Sequence, residues 1–171
     1  MVEFRNSALD YYFMTSRPQE IALLDGLSSA GWQRTGVSFR TYAASATRPG
    51  LSPLRRFYFD AVARNQSRGS HFYTALSSDV DFLHGLNPTN AQAPRLPYDE
   101  GIDSYVDAQT SYQGSSLSFT CGYWGWVYSV YRLFRTTNDD PNHRFVIDAR
   151  LANNAVPAGW RAEGAAFCAL P

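Results

Sequence analysis

A chain of 171 residues, 44% hydrophobic and 15% aromatic, can bury a sizeable single core and is not a disordered segment. Its 15 basic and 15 acidic residues cancel, which argues against a general electrostatic grip on nucleic acid or anionic lipid. No apolar run approaches the roughly 20 residues that span a bilayer, so no membrane insertion is expected. All 15 basic residues are arginine. Arginine favours planar, bidentate and stacked contacts, although a GC-rich coding bias produces the same count.

In chain order, Val2-Glu3-Phe4-Arg5 alternates as a half-buried strand does. Tyr11 to Met14 predicts a second strand, rich in aromatics. Ser16 is the expected N-cap of a short helix, with Pro18 and Glu20 close behind it and Ile21, Leu23, Leu24 and Leu27 on one face. Gly26 or Gly31 ends that helix, and Trp32 to Tyr42 predicts a third strand. A middle stretch follows the same plan: Leu54 to Phe59, then Ser70 to Thr74, then Ser77-Ser78-Asp79 before Val80, Phe82 and Leu83. Residues 85–97, with Pro88, Pro94 and Pro97, read as a surface loop, and residues 106–118 as a second one. The last stretch gives Val130 to Phe134, a polar loop from Thr136 to Pro141, His143 to Ile147, a helix over 150–156, and a strand from Trp160 to Ala169.

One motif occurs near both ends. Residues 30–39 and 158–167 share Ala30/Ala158, Gly31/Gly159, Trp32/Trp160, Gly36/Gly164 and Phe39/Phe167 at identical spacing. Tyr98-Asp99-Glu100-Gly101 takes the corresponding place in the middle, with the Trp replaced. Internal duplication constrains architecture first. The expectation is a single domain over 1–171 with three strand–strand–helix–strand repeats, at about 2–43, 54–106 and 129–170. The fold class is mostly β with short helices (α+β), pseudo-threefold around one core and trefoil-like in its closed barrel, because units that cannot bury their apolar faces alone must share a core and closure protects strand edges.

Cys121 and Cys168 lack metal-ligand spacing, so no zinc site and no cofactor are expected. They are either two buried thiols or a bridge closing a loop of about 47 residues, which would stabilise the fold by about 3–4 kcal/mol.

The order of Tyr-Arg-Leu-Phe (131–134), His-Phe-Tyr-Thr (71–74), Asn-His-Arg-Phe (142–145) and the Gly-Trp-x-x-x-Gly pair resembles a bacterial tandem-repeat domain family of unknown function over nearly the whole chain. Such domains are appended to secreted hydrolases and surface proteins. The resemblance implies an extracytoplasmic, non-catalytic accessory role in which sugar binding is suspected. The first residues lack the pattern of a signal peptide, which leaves either a cytosolic protein or a stretch that follows a removed leader or another domain, and the second is expected. Cys121 and Cys168 stand where family members carry cysteines. The chain departs from the family at Tyr11, where a His is usual. It departs again in the middle unit, where Arg55 or Arg56 and Asp79 replace a cysteine pair and leave that unit held by packing alone.

Four sets of side chains are candidates for ligand contact. His71 and His143 take equivalent places beside aromatics and either bond a ligand hydroxyl, bind a metal or order their hairpins, and a metal shared by the pair is not expected because pseudo-symmetry would hold the two apart. Arg56 and Arg132 take equivalent places on first strands and either reach a cleft between units or pack their stems on aromatics and pair with a carboxylate. Trp32 and Trp160 read as core or inter-unit wedges. Tyr123, Trp124 and Trp126, in a glycine-flanked stretch outside the repeat, could form a flat face for sugar rings or a partner, or fold back onto the core. No catalytic motif is present, and the acid pairs Asp99-Glu100 and Asp139-Asp140 read as turn formers. The expected function is therefore a secreted, non-catalytic module that binds carbohydrate or a cell-surface polymer. The alternatives are a self-assembly or protein-interaction module and a small hydrolase with its site between repeats.

Overall fold

The computed structural model describes residues 1–60, 69–86, 97–108, 121, 127–137, 140–155 and 158–170. Among them are β1 (Val2–Asn6), β2 (Tyr11–Thr15), α1 (Pro18–Gly26), β3 (Trp32–Ser38), β4 (Leu51–Phe59), β5 (Ser70–Thr74), α2 (Ser77–Gly85), β6 (Tyr98–Asp107), β7 (Tyr128–Thr137), β8 (Asp140–Val146), α3 (Ala149–Ala155) and β9 (Arg161–Ala169). The chain is mostly β with three short helices among these residues. β1 to β3 form one sheet in the order β2-β1-β3, and the rest form a second in the order β5-β4-β6-β9-β7-β8 that curls into a nearly closed barrel. Cys121 and Cys168 are joined as a disulfide.

Aromatic and β-branched residues at alternating strand positions bury one face of each strand. Met14, Tyr73 and Phe145 meet in the central cluster with Leu54, Val130, Phe39 and Phe167. The Tyr73 hydroxyl donates to the Met14 carbonyl at 2.9 Å, so the one polar atom of this fully buried ring is satisfied. Trp160 packs with Leu133, Val146, Ala152 and Ala155, and Tyr12 meets it edge-on at 5.6 Å, so it wedges the end of the chain against the beginning. Trp32 is only half-buried and belongs to no core cluster.

Strand registers correct several expectations. Arg5 pairs with Tyr12, Tyr58 with His71 and Phe134 with His143. Tyr12, not Tyr11, thus takes the position that histidine takes in the other two hairpins. Tyr98 faces Tyr58 as Gln33 faces Arg5 and Arg161 faces Phe134. Tyr98 therefore corresponds to the residue after the tryptophan, and Pro97 holds the tryptophan's place. The polar loop expected over 136–141 is shorter: β7 runs to Thr137 and β8 begins at Asp140, because the two strands pair to their ends. β3 ends at Ser38, beyond which only Arg40 and Tyr42 make bridges, to Leu170 and Tyr105. These bridges and the Asp107–Cys168 pair link the ends of the three third strands in a closed cycle.

Each third strand carries a bulge. Gly36, Gly101 and Gly164 have φ of 87°, 88° and 87°, left-handed values that glycine adopts without a side-chain penalty. The register slips across each one. The residue before each glycine thereby comes to face the middle of the first strand: Thr35 against Glu3, Glu100 against Arg56, and Glu163 against Arg132.

The helices begin differently from expectation. Ser16 does not cap α1, because its hydroxyl lies 2.5 Å from Asp103. Neither α1 nor α2 has a side-chain cap, and the last strand residue instead braces the turn into each helix. Thr15 Oγ1 accepts the Arg17 N–H and donates to Glu20, and Thr74 likewise accepts from Leu76 and donates to Asp79. Leu24 and Leu83 anchor the two helices, while Leu23 is exposed, so the apolar face is narrower than its composition implies. Helices of nine residues depend on such anchors, since isolated helices of that length are marginal.

Candidate functional site

The residue facing each bulge, Glu3, Arg56 or Arg132, is charged, and it meets side chains of opposite charge from elsewhere in the chain. Arg56 is 2% exposed. Its Nε donates to Glu100 at 2.6 Å, and Nη1 and Nη2 form a two-pronged contact with Glu20 of α1 at 2.8 and 2.9 Å. Nη2 also lies 2.9 Å from His71 Nε2. With Nε2 accepting from the guanidinium, the neutral His71 ring carries its proton on Nδ1. Burial pushes the His71 pKa below its ordinary 6.5, and the Arg56 charge acts in the same direction. Burial alone would raise the carboxyls of Glu20 and Glu100, but hydrogen bonds from Arg56 to both and from Thr15 to Glu20, with the charge of Arg56, hold both below the usual range. Phe13, Tyr58 and Trp32 stand around this group in a cleft of about 360 Å³.

The same arrangement recurs at Arg132. Its Nε donates to Glu163 and its Nη1 to Asp79 of α2, both at 2.9 Å. The guanidinium lies 4.4 Å from the centre of the Phe72 ring, within the range of a cation–π contact. His143 meets Phe72 edge-on at 5.0 Å. Arg161 pairs with Glu163 at 2.8 Å and lies over Phe134. Phe72, Phe82, Phe134 and His143 wall a cleft of about 340 Å³ above this network. Ser70 Oγ is 3.2 Å from His143 Nδ1, but Ser70 is fully buried, so the pair ties β5 to β8 and presents no nucleophile.

At the third place the charges are exchanged. Glu3, 1% exposed, stands where Arg56 and Arg132 stand. It accepts from Arg144 of β8 at 2.8 and 3.1 Å and from Thr35 at 2.6 Å. Arg144 takes the register position of Phe13 and Phe72 and lies 4.4 Å from the centre of the Tyr12 ring. Burial would lower the Arg144 pKa, but the Glu3 carboxylate raises it above the ordinary value.

The candidates taken from the sequence therefore separate. Arg56 with His71 and Arg132 with His143 are brought together in pairs, and both arginines are committed to carboxylates. The stretch expected to be held by packing alone, 54–106, also makes ion pairs, because Asp79 reaches across to Arg132. Tyr123, Trp124 and Trp126 lie outside the described residues. Sequence reasoning missed Glu20, Glu100, Asp79, Glu163 and the Glu3–Arg144 pair. Two signals were available: the acidic residue before Gly101 and Gly164, and the five-residue step from Thr15 to Glu20 and from Thr74 to Asp79. Among the described residues, no group of three or more His, Cys, Asp and Glu could hold a metal ion, and no helix is long and apolar enough to cross a membrane.

Residues 99–171 match the model of a family described as a domain of unknown function (DUF5648). The match takes in β7 to β9 with α3, most of β6, and both Arg132 and Glu163. Comparison with curated proteins and with solved structures gives no match.

Proposed function

We propose that this chain is a secreted, non-catalytic saccharide-binding module, built from three copies of one unit and seating its ligand in the Arg132 cleft. One observation carries the ligand class. In that cleft, aromatic faces stand beside charged groups that already neutralise one another. Phe82 is 66% exposed and Phe134 half-buried, and Arg132 and Arg161 are balanced by Asp79 and Glu163. Flat apolar faces suit the C–H face of a sugar ring, and paired charges offer hydrogen bonds to hydroxyls without selecting for net charge. A neutral, polyhydroxylated ligand fits this chemistry best.

The repeat reading is supported by contacts that run in a cycle. Tyr11, Ser70 and Asn142 take one register position in their hairpins. Tyr11 bonds to Gly69, Ser70 to His143, and Asn142 to the backbone of Tyr12. Glu20 and Glu100, held below the usual carboxyl range, are ill-suited to the general-acid role that a hydrolase would need. The secreted location is supported by the Cys121–Cys168 bridge, since such bonds persist in oxidising compartments.

The test is a panel of soluble glycans and insoluble polysaccharides, with light scattering on the same sample. Saturable binding of one sugar class by a monomer, lost in Phe82→Ala and Phe134→Ala, is the expected result. No binding by a protein that forms a defined oligomer would replace this reading with self-assembly through the same exposed side chains.

A further inference from the structure

The third cleft, of about 270 Å³, differs in kind from the other two. Arg5, Arg34 and Arg144 line it together with Ser7, Tyr12, Gln33 and Thr35, and among the described residues no carboxylate lines it. The Arg132 cleft, by contrast, carries Asp79 and Glu163 in its wall, and the Arg56 cleft carries Glu20. Each of the three arginines has an acidic partner, but Asp10, Asp25 and Glu3 all lie outside the lining. Arg34 and Arg144 use Nε and Nη2 for those partners, and Arg5 uses Nη2. Arg5 and Arg144 also share one aromatic ring, their Cζ atoms lying 5.4 and 4.4 Å from the centre of Tyr12. Two cations thus lie close to one ring that lines the cleft. Guanidinium groups match carboxylate and sulfate oxygens in two-pronged geometry.

We infer that this cleft binds an oxyanion, the carboxylate or sulfate of an acidic saccharide, held by Arg5, Arg34 and Arg144 with the Tyr12 hydroxyl and Gln33 beside it. The saccharide as carrier rests on the reading above; the anion rests on this cleft alone. The Glu3-for-Arg exchange makes the difference. With the buried acid on β1, its arginine comes from β8 and lines the cleft.

The test titrates trigalacturonate, its neutral methyl ester and inorganic sulfate into the folded protein by calorimetry, and repeats the titrations on R5Q/R34Q. Both arginines are about half exposed, and exposed pairs add little stability, so the variant should keep its fold. R34Q alone serves if the double variant does not. The expected result is binding of the acid at least tenfold tighter than the ester, weakened by salt, and at least tenfold weaker in the variant. Equal affinity for acid and ester, no loss in the variant, or no binding of either would overturn the inference. Sulfate binding as tightly as the trisaccharide would overturn the saccharide as carrier. Failure of neutral glycans at the Arg132 cleft leaves these arms unaffected, because neither substituted residue lines that cleft.

Discussion

Glu3 stands at the first-strand position that Arg56 holds and, with the signs exchanged, is likewise ion-paired at 2.8 Å, but its partner Arg144 comes from β8 whereas Glu20 comes from a helix. A buried pair of this kind is weak evidence for net stability but costly to break singly. Glu3→Gln or Arg144→Met should each destabilise the protein by about 3 kcal/mol in denaturant titration, while Glu3→Met/Arg144→Met should lose much less than the sum. Additive losses would show that the two side chains do not act as a unit.

Arg56 should be among the most sensitive positions in the chain. Its removal leaves Glu20 and Glu100 with only the longer guanidinium contacts to Arg17, 3.7 Å from each. Arg56→Met is expected to cost about 3 kcal/mol, and Arg55→Met, at the more exposed neighbouring pair with Asp99, below about 1 kcal/mol. Equal effects in urea unfolding would contradict the buried placement of the Arg56 head.

Much of this could be read from the chain alone. Hydrophobic alternation and aromatic content located the strands, and the repeated glycines fixed the third strand of two units. What the sequence hid was relational. That Glu3 replaces an arginine appears only once the register sets it opposite Met14, as Arg56 is opposite Tyr73. The one-residue error at Tyr11 has the same origin: two adjacent tyrosines are indistinguishable until pairing selects which of them faces Arg5. The Ser16 cap failed because a competing acceptor, Asp103, lies far away in sequence.

Stability should fall on mild acidification. The native pKa of His71 is below its ordinary 6.5, so the unfolded chain binds the proton more readily than the folded one. The contribution is then fully present above pH 6.5 and is lost as pH falls from there towards the native value. Glu20 and Glu100 add a second loss below their ordinary 4.5. Unfolding midpoints measured from pH 8 to 5 should fall in the wild type and stay flatter in His71→Gln. An identical profile in both proteins would remove His71 from the account.

Gly164→Ala tests the bulge. Its φ is 87°, and an added Cβ would meet nothing within 4 Å, so the penalty is conformational alone, about 1–2 kcal/mol. Gly26→Ala in α1, with no positive φ and equally open space, should be neutral or slightly stabilising. Thermal unfolding of the two variants should separate them.

Reduction of Cys121–Cys168, which closes a 47-residue separation, should cost about 3–4 kcal/mol on a chain-entropy basis. For a chain of this size that lowers the melting temperature by roughly 6–16 °C. Cys168→Ser should reproduce the shift without reductant.

The central claim is that ligand sits at the Arg132 cleft. Its most direct test is to titrate the best glycan from the panel into isotope-labelled protein and follow shift changes by NMR. Changes centred on Phe72, Phe82, Phe134 and the Arg132 and Arg161 side chains are the predicted result. Saturable changes confined to Tyr123, Trp124 and Trp126, with the cleft silent, would contradict it.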